Sequence, residues 1–313
     1  MNAFPRDHKM RKTSLNSVYE LAKVDPSVVF IGSDLGPGVL DDMKSEMPER
    51  FFMEGVAEQH IVGMAAGMAM EGMKPFVNTI ATFLTRRCFE QVAIDLCLHD
   101  LPVKLIANGG GVVYAPLGPT HLATDDIGIL RTLPNMTIVA PCDADEMRRL
   151  MPATLDWQHP IYIRLAKGGD SIVSNENHGF EIGKAILMRD PIDGLFVSTG
   201  VMTQRCLAAA ELLAKDGLGI GVLHMHTIKP LDLKSISELI PSVKKLVTVE
   251  EHSKIGGLGS AILEGISDFC PEYLHKIRRI GIDDYFANQY GSQETLLDAF
   301  GISIERIARM MRE

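Results

Sequence analysis

The chain of 313 residues has no apolar run near the length that crosses a bilayer. Its first residues, MNAFPRDHKMRKT, lack the hydrophobic segment of a secretory signal. Cysteine pairs are missing too. Cys88, Cys97, Cys142, Cys206 and Cys270 are scattered without a CxxC, which suits free thiols in a reducing compartment rather than a disulfide framework or a zinc site. There is no excess of positive charge: the formal net charge is −9 and no Lys/Arg cluster stands out, which argues against a nucleic-acid-binding surface. These absences point to a soluble, cytoplasmic protein, and the length suffices for two domains with separate cores.

What is present is an alternation of short apolar runs with helical patterns. Strands are expected at Ser27 to Gly32, Lys74–Ile80, Val103–Asn108, Met136–Ala140 and Pro160–Leu165. Between them, helices are expected at Leu40–Met47, Thr85–His99, Asp125–Arg131 and Asp143–Leu155, after a first amphipathic helix over Arg11 to Lys23. Such alternation implies an α/β fold with a mostly parallel, doubly wound sheet, whose ligands bind beyond the carboxyl ends of the strands. Asp34, Glu58, Phe83, Asn108 and Lys167 all follow expected strand ends. Gly168–Gly183 is polar and loop-rich, so a first domain is placed over residues 1–172, a linker over 173–190 and a second doubly wound domain over 191–313. In the second, strands are expected at Gly194–Thr199, Ile220–His224 and Lys245–Glu250. Gly256-Gly257-Leu258-Gly259 precedes a helix and could bind a phosphate at its N-terminus. It lacks the lysine of a P-loop, and a tight turn with close helix packing is the favoured reading.

The chain is organised around FFMEGVAEQHIVGMAAGMAMEG, residues Phe51 to Gly72. The spacing of Ile61, Met64, Ala65 and Met68 predicts a helix from about Val56 to Met70. Gly63 and Gly67 inside it cost about 1 kcal/mol each against alanine, so a close backbone neighbour, such as a second copy of this helix, is expected to offset them. Glu58 in its first turn would usually be a dipole-compensating residue. Here it sits among Val, Ala, Met and Gly, where lost hydration favours the protonated form while the helix N-terminus favours the anion. An acid so balanced can share a proton with a weakly basic partner.

GVAEQHIVGMAAGMAMEGMKPFV resembles the pyrimidine-binding domain of the transketolase and deoxyxylulose-phosphate-synthase group of thiamine diphosphate enzymes. Gly118–His121 (GPTH) and LRTLPNMTIVAPCDADE over Leu130–Glu146 are also transketolase-like. The resemblance runs along nearly the whole chain, but only as the C-terminal half of a full-length transketolase. It implies a pyrimidine-binding domain followed by a transketolase C-terminal domain. The implied activity is thiamine diphosphate-dependent transfer of a two-carbon ketol unit from a ketose to an aldehyde acceptor. By the same resemblance Glu58 shares its proton with the aminopyrimidine N1′, Phe83 and Phe89 stack on that ring, and Asp34 lies near the cofactor. Taken alone, Phe83 and Phe89 read as core, and Asp34 as the cap of a turn. His121, in a loop after Pro119, is the better functional histidine, and by resemblance it reaches the cofactor's reacting carbon and the substrate oxygens. Of the other histidines only His60 is kept, as a supporting group. Arg86-Arg87 oppose the macrodipole at a helix start, so at least one is expected to face an anion, the cofactor diphosphate or a carboxylate across an interface. Arg86 is assigned to the cofactor, and Arg11 and Lys167, with His121, to substrate.

Departures from the family bear on substrate. Arg11-Lys12-Thr13-Ser14 keeps the RKxS stretch, whereas Gly38 replaces a serine, a histidine is missing near Gly109, Lys167 replaces an arginine, and Leu117 replaces an acid that senses a sugar hydroxyl. A modified, branched or differently charged sugar is therefore expected in place of the common pentose-phosphate pair. The chain also contains no GDG, the motif that holds the diphosphate through Mg²⁺. The resemblance thus implies a separate N-terminal transketolase subunit carrying GDG and Mg²⁺, in an α2β2 assembly. Two alternatives stand beside it: the β subunit of a 2-oxo-acid dehydrogenase E1 component, and a non-catalytic scaffold subunit. Deoxyxylulose-phosphate synthase fits less well, since that activity usually resides in one long chain.

Overall fold

The computed structural model describes residues 9–33, 38–166 and 169–313. Strands β1 (Val28–Gly32), β2 (Phe51–Met53), β3 (Lys74–Ile80), β4 (Lys104–Asn108), β5 (Thr137–Val139) and β6 (Ile161–Leu165) form one parallel sheet. The second sheet holds β7 (Ile186–Arg189), β8 (Gly194–Ser198), β9 (Ile220–His224), β11 (Lys245–Ser253) and β12 (Ile277–Ile282) in the order β12-β11-β8-β9-β7. Only β7 runs antiparallel there. The remaining strand, β10 (Thr227–Lys229), pairs antiparallel with β5, so the first sheet reads β10-β5-β6-β4-β3-β1-β2. The two units therefore share hydrogen bonds across a sheet edge.

The inner strands β1, β4 and β6 are buried along their whole length, which is why they read as continuous apolar runs. Helices cover both faces, as the alternation requires. Lys104 lies within β4 and is fully buried; its ammonium donates to the Pro102 carbonyl at 2.8 Å, and burial pushes its pKa down to about 8.

Local detail departs from expectation in three places. The Glu58–Met70 helix starts two residues late, because Val56 and Ala57 form the turn out of β2. The helix expected over Thr85–His99 is a segment over 83–98 with wide π-type turns at Phe83–Arg87 and Val92–Leu98, interrupted at Cys88. Strands β7, β10 and β12 and the helices Gln293–Ala299 and Ile304–Arg312 are not among the elements expected from the sequence. Strand β7 falls in the stretch read as linker.

Among the described residues, the glycine pair in the Glu58–Met70 helix has no backbone of another segment against it. A Cβ on Gly63 would meet only the Asp95 carboxylate, at 3.9 Å, and one on Gly67 would meet nothing within 4 Å. Met53, Val56, Met70, Met73, Ile94 and Leu98 around this helix are all exposed.

Candidate active site at the carboxyl ends of the strands

The end of β2 throws the chain through Glu54-Gly55, where Gly55 adopts φ +67°, and delivers Glu58 as the first residue of its helix. Its side chain is 2% exposed and turns away from its own helix toward the next segment. There Glu58 Oε2 accepts from Arg87 Nη1 at 2.6 Å. The Gln59 amide donates to the Arg87 carbonyl at 3.2 Å and ties the two segments together. Beneath them, burial and then the Glu58 charge push the Cys88 thiol up to about 12.

The wide turn at Phe83–Arg87 places three groups on one side. The Arg87 guanidinium lies 4.1 Å over the Phe83 ring centroid, a cation–π contact. The His121 ring meets Phe83 edge-on, 5.4 Å between centroids. Thr120 Oγ1 and His121 Nδ1 are 2.9 Å apart, which orients the imidazole. Arg86 points to Asp125, at 3.3 and 3.4 Å, and donates to the Thr120 carbonyl at 3.3 Å, fastening the Pro119–His121 turn to the start of the next helix. Both arginines of the pair thus face carboxylates of this chain.

Behind these groups the strand ends carry a buried polar row. The Asn108 amide donates to Asn78 Oδ1 at 2.7 Å and to the Thr79 carbonyl at 3.1 Å, while the Ser33 hydroxyl donates to Thr79 Oγ1 at 2.7 Å. Arg11 lies in the first turn of the Met10–Val24 helix. Phe89 packs against the core, and His60 is exposed with its ring 3.9 Å from Glu54. Asp34 and Lys167 lie outside the described residues. The sequence assigns no role to Arg87, Asp125 or Asn108. Arg87 is foreshadowed there as half of an arginine pair at a helix start, and Asn108 as a residue at an expected strand end.

An aminopyrimidine ring needs an aromatic face and a carboxylate that can hold its ring-nitrogen proton. Phe83 and Glu58 offer both side by side. In the chain alone the flat, multiply donating Arg87 guanidinium makes those same two contacts, so the pair fits such a ring wherever Arg87 gives way. Among the described residues, the groups around Glu58 include no set of oxygen donors suited to Mg²⁺ and a diphosphate.

The GGxG turn carries a different chemistry. Glu250 accepts from Leu258 N–H at 2.7 Å and Gly259 N–H at 2.9 Å, so the anion at this helix N-terminus is the protein's own carboxylate. It sits in a buried polar junction between the units. Asp126 accepts from Arg164 Nε and from the Tyr162 hydroxyl, both at 2.8 Å. Arg164 also donates to the Glu251 carbonyl at 2.9 Å, and Glu251 Oε1 accepts from Val112 N–H at 2.8 Å.

Fold and site together define a thiamine-enzyme type of pyrimidine-binding unit joined to a second α/β unit. The family models agree: residues 6–169 match the transketolase pyrimidine-binding domain and residues 183–307 the transketolase C-terminal domain. The chain belongs to the transketolase family. It is 34% identical to the 6-deoxy-6-sulfo-D-fructose transketolase subunit of Clostridium sp., over 98% of this chain and 94% of that protein. It is 35% identical to an apulose-4-phosphate transketolase subunit of Phocaeicola vulgatus, over 97% and 96%. Among solved structures it superposes on a split-gene transketolase described as an inactive β4 tetramer, with a TM-score of 0.89, 31% identity and 98% of each chain covered. No helix among the described residues is long and apolar enough to cross a membrane.

Proposed function

We propose that the chain is one subunit of a two-chain transketolase, transferring a two-carbon ketol unit from a ketose to an aldehyde acceptor with thiamine diphosphate. The observation that carries this is the buried Glu58 carboxylate held beside the Phe83 face and the His121 loop, on a chain of the transketolase family. The bound cofactor supplies the electron sink for carbon–carbon cleavage. Glu58 holds a proton opposite the ring nitrogen, Phe83 supports the ring, and the His121 imidazole gives or takes a proton at the substrate oxygens. Arg11 and Lys167 are assigned to the sugar's anionic group, and Asp34, Arg86 and Phe89 to the cofactor's surroundings.

A partner subunit carrying GDG is proposed to hold Mg²⁺ and the diphosphate, in an α2β2 complex. The open, small-residue face of the Glu58–Met70 helix with its exposed methionines supports an assembly through this surface. That the matched solved β4 tetramer is described as inactive is in keeping with a missing second chain. For the sugar, the apolar Leu117 is half exposed on the loop leading to His121. With two relatives named for 6-deoxy-6-sulfo-D-fructose and for apulose-4-phosphate, this supports a modified donor or acceptor.

The complex purified with its partner should turn over ketose donors only with thiamine diphosphate and Mg²⁺ present. Absence of ketol transfer across a panel of ketoses would remove the assignment. Efficient use of both xylulose 5-phosphate and ribose 5-phosphate would remove the substrate part alone.

A further inference from the structure

Away from Glu58, a second group of reactive side chains meets where the units pack. Cys142 follows β5, Glu146 stands in the first turn of the Ala144–Leu155 helix, and His224 ends β9. All three are fully buried, and one donor atom of each lies within 4.8 Å of the others. The ketol transfer proposed above uses none of them. Glu146 Oε2 is 2.8 Å from His224 Nε2 and accepts from Cys142 N–H at 2.6 Å. Among the described residues its other oxygen, Oε1, is buried without a hydrogen-bond partner, and so is Nε2 of His226, whose ring centroid is 5.7 Å from that of His224. Unpartnered atoms of this kind are uncommon in an interior and ask for a ligand or water.

The far side of His224 is built as a metal-binding imidazole requires. Its Nδ1 is 2.7 Å from Thr203 Oγ1, which is 2.9 Å from Ser198 Oγ, a relay that fixes the ring and leaves Nε2 to face the cluster.

We propose that Cys142, Glu146 and His224 form a structural Zn²⁺ site joining the two units, with His226 the neighbouring donor for the fourth position. Thiolate, imidazole and carboxylate together select Zn²⁺ over Mg²⁺, which prefers oxygen alone. Charge favours it as well: one dication with one thiolate and one carboxylate is neutral, so nothing uncompensated is buried. On binding, the metal takes the place of the Cys142 thiol proton, which leaves to solvent, and of the hydrogen between His224 Nε2 and Glu146; the neutral imidazole keeps one N–H, on Nδ1 facing Thr203. Two donors come from the first unit and two, His224 and His226, from the second, so the ion would act on their docking rather than on the reaction. The sequence could not show this, because 82 positions separate Cys142 from His224 along the chain.

The full chain, stripped with a chelator and reconstituted, decides the matter. Zn²⁺ should return to one ion per chain by atomic emission. The Co²⁺ form should show a thiolate-to-cobalt charge-transfer band with the intense visible bands of tetrahedral coordination. Cys142→Ser and His224→Asn should lose the charge-transfer band or the tetrahedral signature, and chelation should lower the melting temperature of the wild type but not of Cys142→Ser. A wild-type chain that takes up no Zn²⁺ at micromolar concentration overturns the site, as does a Co²⁺ spectrum without a thiolate band. Both readings use the unmutated chain, so a variant that fails to fold does not shield the proposal.

Discussion

Glu58 and Glu250 are both buried glutamates at the N-terminal end of a helix, and they are held in opposite ways. Glu250 belongs to a strand and caps a helix that begins eight residues later, accepting two backbone N–H groups that have nowhere else to go. Glu58 belongs to the helix it begins, yet its carboxylate leaves that helix for a side chain, Arg87, which is 42% exposed and can move. A carboxylate locked by backbone is structural. One whose partner is a half-exposed side chain can exchange that partner, and the contrast separates the proposed working end of the first sheet from the sealed junction between units.

The sharpest way to break the comparison is to neutralise both acids in turn. Glu58→Gln in the assembled complex should lower kcat by about 10³-fold, the scale of a lost proton-transfer group, with the melting temperature little changed. If the variant keeps wild-type turnover, Glu58 has no part in the chemistry and the two acids are alike.

Glu251, beside Glu250, extends the contrast to pH. Burial pushes it from the ordinary 4.5 up to about 7, against the opposing pull of Arg164 and of the Val112 N–H and Gln293 hydrogen bonds. Folded protein therefore holds this proton more tightly than unfolded protein does. Stability is highest in acid on this account, falls as pH rises from about 4.5 to about 7, and stays lower above that. Glu251→Gln, which keeps an oxygen for Val112 N–H, should be more stable than wild type by up to about 3 kcal/mol near pH 8, with the gap closing near pH 5. Thermal melts at the two pH values check it; a gap of the same size at both would mean that the effect is not one of titration.

Glu250→Gln should act in the opposite direction and more weakly. Its amide N–H would face one of the two backbone N–H groups that Glu250 now accepts, losing about 1–3 kcal/mol while the surviving folded complex retains its turnover. Loss of activity without loss of stability would place Glu250 with Glu58 and erase the distinction.

How much of this is legible in the sequence follows the same division. Glu58 and His121 stand out in short segments whose patterns are local, a small-residue helix and a Pro-Thr-His loop, whereas Phe83 reads as core when taken alone and is singled out by the family resemblance. The parallel order of the first sheet also shows, since buried strands and amphipathic helices alternate. Strand β10 does not, because an edge strand of three residues is too short to carry a periodicity. Nor does the junction. Asp126, Arg164, Glu251 and the Cys142, Glu146 and His224 group each read as ordinary polar positions, and only the packing of one unit on the other brings them together. Two arginines at a helix start signal a nearby anion, but which anion depends on the wide turn at Phe83–Arg87, which no local propensity marks.

Arg87 gives the smallest effect and the most direct view of the working end. Its charge pair with Glu58 is half exposed on the arginine side, so removing it should shift stability by no more than about 1 kcal/mol. If the guanidinium occupies the place of the aminopyrimidine, Arg87→Met removes a competitor that the cofactor must otherwise displace. The assembled variant should then bind thiamine diphosphate some ~3- to 10-fold more tightly, since the fraction of sites open to ligand rises. Titration calorimetry on the complex with Mg²⁺ reads this directly. A weaker Kd together with a lower kcat would instead mean that Arg87 stays on Glu58 throughout and orients it, in which case the working acid would be held almost as firmly as the sealed one.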